Sequence, residues 1–229
     1  MKINPINMQN AENSFKTFSE NIIKTPAMSS DLFIASIKTK EQELSKAGML
    51  SKLSDKFYDL AQTLFANGKM GLATIVCSRL IKFPNITLEQ KEKYIKTGLE
   101  FSEMQGDKMH VLARLEDLHQ LYDEKGCDTQ KVLKVMIKEE RVLKDIVADF
   151  DFAVENFKTP YSKEKDVKNY EDLLATLQVD IAKILERRKP KKAEQRLRDA
   201  MQTFKKLGDE ERYRFADKIM TRIEIQCKK

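Results

Sequence analysis

Apolar residues recur three and four positions apart through most of the chain, in stretches that proline and glycine separate. All five prolines and five of the seven glycines lie between these stretches: Pro5, Pro26, Pro84, Pro160, Pro190, Gly48, Gly68, Gly106, Gly126 and Gly208. Proline cannot continue a helix interior, and glycine readily adopts the left-handed conformation that ends a helix. The pattern therefore predicts an all-α protein of about nine or ten helices.

The first 28 residues are polar and rich in Asn and Ser, so we expect a flexible polar arm over 1–28 with at most one short helix. Phe15, Phe18 and Ile22 lie at helical spacing there and form a face that could dock the arm onto the body. Gly71 and Gly98 fall inside predicted helices. We interpret these two glycines as points where neighbouring helices pack closely.

A first helix, which Ser29 or Ser30 can cap, follows the arm. Two helix hairpins come after this helix. The first hairpin turns at Gly68. The second begins after Thr87, a predicted N-cap, and turns at Gly106, which lies 38 residues after Gly68. We predict that Asp107 starts its second helix.

The stretch FYDLAQTLFANGKMGLATIVCSRLIKFP, residues 57–84, resembles one tetratricopeptide repeat. The matching positions are the large Phe57, then Leu60, the small Ala61, Leu64, the turn Gly68, the small Ala73 and the closing Pro84. Residues 87–126 are a degenerate match, with the small residue at Ala113 and a spacing different from the usual ~34 residues. The resemblance implies an α-solenoid of antiparallel helix hairpins with a concave surface that binds peptides or partner helices. The residues it implies as partner-binding are polar positions on the first helix of each pair: Lys56, Asp59, Gln62, Thr63, Lys93, Lys96 and Thr97.

Residues 128–189 have a different pattern, in which core positions alternate between spacings of three and four. This is the heptad seam of a coiled coil, and it predicts a long antiparallel helical hairpin that closes at Pro160. Glu139 is the one charged residue in the seam, and the antiparallel register places it near Lys183. The same seam could instead drive self-association, which gives a structural, self-associating helical protein as one alternative function.

A last hairpin around Gly208 occupies 190–229 and is basic. The predicted organisation is thus a flexible arm over 1–28, tetratricopeptide-like hairpins over 29–127, the long hairpin over 128–189 and the basic hairpin over 190–229. We expect 29–229 to form one continuous domain.

The net charge of +6 is concentrated near the C-terminus. From Lys183 onward the chain has 16 Lys or Arg residues and 8 Asp or Glu residues. The residues before Lys183 include 26 Lys or Arg and 28 Asp or Glu. The candidate polyanion-binding residues are Arg187, Arg188, Lys189, Lys191, Lys192, Arg214, Lys218 and Arg222. Nucleic-acid or polyanion binding is therefore an alternative function. A solvated basic face is the competing interpretation, because no nucleic-acid-binding motif accompanies these residues.

The sequence offers no catalytic, metal-binding or cofactor-binding motif. The three cysteines contain no CxxC pair, and Cys77 in the apolar run LATIVC is a predicted buried thiol. His110 and His119 point to opposite sides of one predicted helix. His119 and Asp123 could touch, but no nucleophile or oxyanion donor accompanies them.

We therefore predict no enzyme, no cofactor and no metal. The chain has no signal-peptide-like run and no apolar window of ~18 residues, so we expect a cytoplasmic protein that does not associate with membranes. The leading functional hypothesis is a non-enzymatic protein-protein interaction module or adaptor that binds a peptide or partner helix.

Overall fold

Eleven α-helices make up most of residues 5–26, 28–154 and 163–227, which are the residues that a computed structural model describes. The helices are α1 (Pro5–Lys24), α2 (Ser30–Lys46), α3 (Ser54–Ala66), α4 (Met70–Leu80), α5 (Leu88–Gln105), α6 (Lys108–Glu124), α7 (Thr129–Ala148), α8 (Phe150–Val154), α9 (Lys163–Leu185), α10 (Pro190–Leu207) and α11 (Glu210–Cys227). This part of the chain contains no β-strand, which confirms the all-α prediction. The chain forms two compact units, residues 1–106 and residues 107–229.

The predicted helix starts are confirmed by their capping contacts. The Ser29 side chain accepts a hydrogen bond from a backbone N–H in the first turn of α2, and the side chains of Thr87 and Gln90 form a reciprocal capping box at α5. Asp107 accepts from a backbone N–H at the start of α6, and Pro190 occupies the first position of α10. These caps satisfy backbone donors that a helix leaves free at its N-terminus.

Glycine ends helices where the sequence predicts it. Gly106 follows α5 with φ 73°, in the left-handed region, and the same region is occupied by Gly48, Gly68, Gly126 and Gly208. Gly98 is buried in α5. The expectation of close packing at Gly71 is wrong, because a Cβ there would meet only the Gln105 side chain, at an ordinary 3.7 Å.

The N-terminal segment corrects one expectation. Its helix α1 is 20 residues long, whereas at most one short helix was expected over 1–28. Phe15 and Ile22 are buried, so the predicted docking face is observed at these two positions. Lys69 Nζ donates to the backbone carbonyls of Ile22, Ile23 and Thr25 at 3.0, 2.7 and 2.6 Å. Tertiary contacts of this kind stabilise a helix that weak local propensity leaves marginal.

In the unit 1–106, the aromatic core joins α1, α3 and α5. The Phe57 ring in α3 lies 4.5 Å from the Phe15 ring in α1, and Phe65 stacks on Phe101 of α5 with ring centroids 4.1 Å apart. On the other helices of this unit, Arg79 of α4 forms an ion pair with Glu41 of α2.

In the unit 107–229, α7 packs against both α6 and α9, and α10 packs against both α9 and α11. Lys108 Nζ lies 3.6 Å from Asp145 Oδ2, so the start of α6 meets the end of α7 and the two helices are antiparallel. The rings of Phe150 and Tyr170 lie 5.8 Å apart, where the chain after α7 meets the first part of α9.

The predicted long hairpin is only partly observed. Its first arm is interrupted at Asp149, whose backbone departs from helical geometry with φ −141° and ψ 72°, and the five-residue α8 follows. The predicted turn at Pro160 lies outside the described residues. Glu139 and Lys183 have other partners: Glu139 contacts a side chain of α6, and Lys183 Nζ donates to Asp180 Oδ1 at 2.8 Å. The seam of α7 faces α6 as well as α9, and spacing within one helix does not reveal a second neighbour.

Candidate functional site

An open groove runs along the unit 107–229, with α6 and α9 as its walls and α7 as its floor. Its volume is about 380 Å³. Apolar contacts come from Leu112, Leu143, Leu173 and Leu177, and carboxylates come from Glu116, Asp123, Glu124, Glu139 and Asp180. We call this feature the acidic groove.

Glu139 is the most unusual side chain of the acidic groove. The residue is only 2% exposed, and its Oε2 lies 3.1 Å from His119 Nδ1. Its Oε1 has no hydrogen-bond partner among the described residues, although it is shielded from water. A buried carboxylate oxygen without a donor is costly, so this oxygen is available to a donor that a ligand brings.

His119 lies between two carboxylates. Its Nε2 is 3.6 Å from Asp123 Oδ2, so the pair predicted from the sequence is a close ionic contact. The hydrogen bond to Glu139 raises the pKa of His119; burial opposes this effect, and the charges of Glu139, Asp123 and Asp180 add to it. A protonated imidazole is thus favoured beside Glu139, which suits a charge partner better than a general base.

The sequence-predicted partner-binding residues lie in the other unit and fall into two groups. Gln62 Nε2 donates to the Tyr58 hydroxyl at 2.9 Å, Thr97 Oγ1 lies 3.1 Å from the same hydroxyl, and Lys93 Nζ lies 3.8 Å from the centroid of the Tyr58 ring. Thr97 is buried, so it supports Tyr58 and does not line an open surface. Lys96 forms an ion pair with Glu92 at 2.8 Å.

The remaining three residues of that set, Lys56, Asp59 and Thr63, line a shallow cleft between α1 and α3. Thr63 Oγ1 donates to the Asp59 carbonyl of its own helix at 2.8 Å. The structure therefore does not gather the seven predicted residues into one binding surface.

The predicted polyanion-binding residues are all exposed: Arg187, Arg188, Lys189, Lys191, Lys192, Arg214, Lys218 and Arg222. Arg222 Nη2 lies 3.3 Å from Glu186 Oε2, which brings the cationic row of α11 next to the junction of α9 and α10. Within the described chain, no carboxylate lies within 4.0 Å of the cationic groups of the other seven. We call these eight residues the basic surface.

Sequence reasoning identified Glu139 as the lone seam charge but missed its partner and the groove. The sequence indicates Asp123 as a neighbour of His119 because both lie on one helix. Its contact with Glu139 depends on how α6 is aligned along α7, and the apolar spacing of either helix carries no signal for that alignment.

In residues 5–26, 28–154 and 163–227, no cluster of three or more His, Cys, Asp or Glu side chains could hold a metal ion. None of the helices there combines the length and apolar character that crossing a membrane requires. The Cys77 thiol is buried, as predicted. No protein-family model matches the chain, and no curated protein matches it.

Proposed function

We propose that the protein is a non-enzymatic interaction module that binds a peptide or partner helix in the acidic groove. The observation that carries this proposal is Glu139, a buried carboxylate with an unpartnered oxygen beneath an open, leucine-lined groove. Buried polar groups in folded proteins nearly always have a partner. A ligand that supplies one converts an unfavourable feature of the free protein into a favourable contact of the complex.

The dimensions of the acidic groove suit a short helix. Its wall on α6 extends from Leu112 to Glu124, about 18 Å at a rise of 1.5 Å per residue. Leu173 and Leu177 lie one turn apart on the opposite wall. An amphipathic helix of about three turns can place apolar side chains between these walls, as in helix-in-groove recognition.

We further propose that the helices stack in a tetratricopeptide-like solenoid. In unit 1–106, Phe65 of α3 contacts Phe101 of α5, 36 positions later. In unit 107–229, Glu186, which directly follows α9, contacts Arg222 of α11, also 36 positions later. Both offsets are near the repeat length of ~34 residues in that family.

Peptide selection tests the proposed function. Helical peptides are selected from a display library on the immobilised full-length protein, and their dissociation constants are measured by fluorescence anisotropy. The test variant is Leu173→Gln, and its matched control is Ile137→Gln on α7 outside the groove, since both native side chains are 38% exposed.

Selected peptides should bind Leu173→Gln about tenfold more weakly, because an apolar contact worth roughly 1–2 kcal/mol is lost, and should bind Ile137→Gln normally. Failure to recover helical peptides, or equal binding to both variants, would contradict the proposal.

Polyanion binding through the basic surface is a second candidate function. It is supported by the seven cationic side chains that have no carboxylate within 4.0 Å in the described chain. The test is binding of single-stranded RNA and of heparin over a range of salt concentrations. Charge reversal at Arg187, Arg188, Lys191 and Lys192 should weaken binding and reduce its salt dependence. Unchanged binding by this variant would remove the candidate.

Self-association through the heptad seam gains no support from the structure. Met136, Leu143 and Ile146 of that seam are buried within their own unit. Light scattering at high protein concentration tests this alternative directly, and it should report a monomer.

A further inference from the structure

We propose that the segment bound in the acidic groove is an amphipathic helix that carries an arginine, and that its guanidinium donates to Glu139 Oε1. This inference rests on the proposed function and specifies the chemistry of the ligand. It follows from the charge of the groove, the burial of Glu139 and the positions of the leucines.

The groove has a strong excess of negative charge. Carboxylates come from all three helices: Glu116, Asp123 and Glu124 on α6, Glu139 on α7 and Asp180 on α9. Among the described residues that line the groove, His119 alone can carry positive charge, and Lys183 beside the groove pairs with Asp180 at 2.8 Å. A cationic ligand is attracted by this field before contact, and an anionic one is repelled.

Glu139 selects for a cation at one particular point. His119 occupies Oε2, whereas Oε1 has no donor among the described residues. A cationic donor at a carboxylate makes a short, charge-assisted hydrogen bond. A neutral apolar ligand would leave the oxygen unpaired, as it is in the free protein, and would therefore lack this contact.

Arginine fits this position better than lysine. Glu139 lies at the floor, so the ligand's charged group must leave water and reach down between the walls. A guanidinium is less strongly hydrated than an ammonium and presents several donors in a rigid plane. One of these can reach Oε1 while others face Asp180 or Glu116 on the walls.

The leucines determine which other side chains the ligand needs. Leu173 and Leu177 lie on α9, and Leu112 lies across the groove on α6. A bound helix contacts both walls when apolar residues lie three or four positions before and after the arginine, since such residues share one helix face.

The test uses two synthetic helical peptides that differ in one side chain. Each is a three-to-four-turn helix of Ala, Gln and Leu, with leucines four positions before and three positions after the central residue. That residue is arginine in one peptide and citrulline, its neutral isostere, in the other. Affinity for the full-length protein is measured by fluorescence anisotropy.

We expect the arginine peptide to bind at least about tenfold more tightly than the citrulline peptide. Glu139→Gln should reduce this ratio to below about threefold, because the replacement keeps the shape and removes the charge. The control Glu210→Gln, at an exposed carboxylate of α11 that does not line the groove, should leave the ratio unchanged. Circular dichroism confirms that each variant is folded, and the comparison of peptides on the native protein needs no variant.

Equal binding of the two peptides, weakened by Leu173→Gln, would overturn the arginine inference and leave the proposed function intact. Absence of binding by either peptide would also overturn the inference, and the library selection then decides the proposed function separately. A tenfold preference for arginine that persists in Glu139→Gln would show that the general field, and not Glu139, recognises the cation. That result overturns the assigned contact.

Discussion

The buried ion pair between α7 and α10 allows a quantitative prediction. Glu140 is 3% exposed, and its Oε2 accepts from Arg196 Nε and Nη2 at 2.9 and 2.6 Å, while its Oε1 accepts from Lys144 at 2.9 Å. Replacing Arg196 with methionine keeps much of the side-chain length and removes the charge. Removing one partner of a buried pair costs about 3–5 kcal/mol, because the other charge stays buried and uncompensated.

Two features place the expected loss at the lower end of that range. Lys144 still neutralises part of the Glu140 charge, and the Arg196 side chain is itself 17% exposed. We therefore expect Arg196→Met to lower the free energy of unfolding by about 3 kcal/mol. Glu140→Gln combined with Arg196→Met should recover part of this loss, because no buried charge then remains.

Urea unfolding followed by circular dichroism measures the effect, and hydrogen exchange should locate faster exchange in α7 and α10. The control is Lys206→Met, which breaks an ion pair of 2.6 Å with Glu171, but at a side chain that is 62% exposed. That change should cost at most about 1 kcal/mol. A loss at Arg196 that is no larger than the loss at Lys206 would refute the reasoning.

The stabilisation from the Glu140–Arg196 pair depends on pH, and the direction of the dependence follows from the pKa of Glu140. Burial by itself raises the pKa of Glu140, but the hydrogen bonds from Lys144 and Arg196 outweigh it and hold the pKa below the ordinary value of 4.5. The stabilisation is therefore present above pH 4.5 and is lost as the pH falls through the lowered pKa. The stability difference between the native protein and Arg196→Met should narrow over this acidic range.

Three further predictions concern other parts of the chain. The raised pKa of His119 stabilises the folded state below pH 6.5, and this contribution is lost as the pH rises through the raised value; Glu139→Gln should lower that pKa in an NMR titration of the histidine ring, and an unchanged titration would contradict the assigned cause. Gly71→Ala should raise the free energy of unfolding by about 0.5–1 kcal/mol, whereas Gly106→Ala should lower it by about 1–2 kcal/mol because φ there is 73°. In urea unfolding, Phe57→Ala should lower the free energy of unfolding by about 3–5 kcal/mol, and Phe57→Leu should lower it by less than about 1.5 kcal/mol. Equal losses for the two variants would contradict the expectation that Phe57→Ala leaves a cavity that leucine largely fills.

The helix boundaries were predictable because the chemistry that starts and stops a helix is local. Thr87 and Gln90 are three residues apart and cap the same turn, so their relationship can be read directly from the sequence. The length of α1 was not predictable in this way. Its Asn and Ser residues favour a disordered arm, and the contacts that oppose this come from residues such as Phe57 and Lys69.

The candidate site was only partly predictable for a related reason. The position of Glu139 among apolar seam residues indicated that the carboxylate is buried. Its neighbour could not be found, because helix spacing reports which face is buried and does not report the alignment of two helices. The groove also depends on the separation of α6 and α9 above α7, which the pattern of neither helix encodes.

The attachment of α1 through Lys69 has a consequence for how that helix opens. Three carbonyls at the C-terminal end of α1 share one ammonium as their donor, and Phe15, farther toward the N-terminus, is buried against Phe57. When the ammonium leaves, all three carbonyls lose their donor together. Opening one residue at a time from that end is therefore not favoured over opening the whole end. Amide protons of α1 should therefore exchange with solvent at a common rate, as a single cooperative segment.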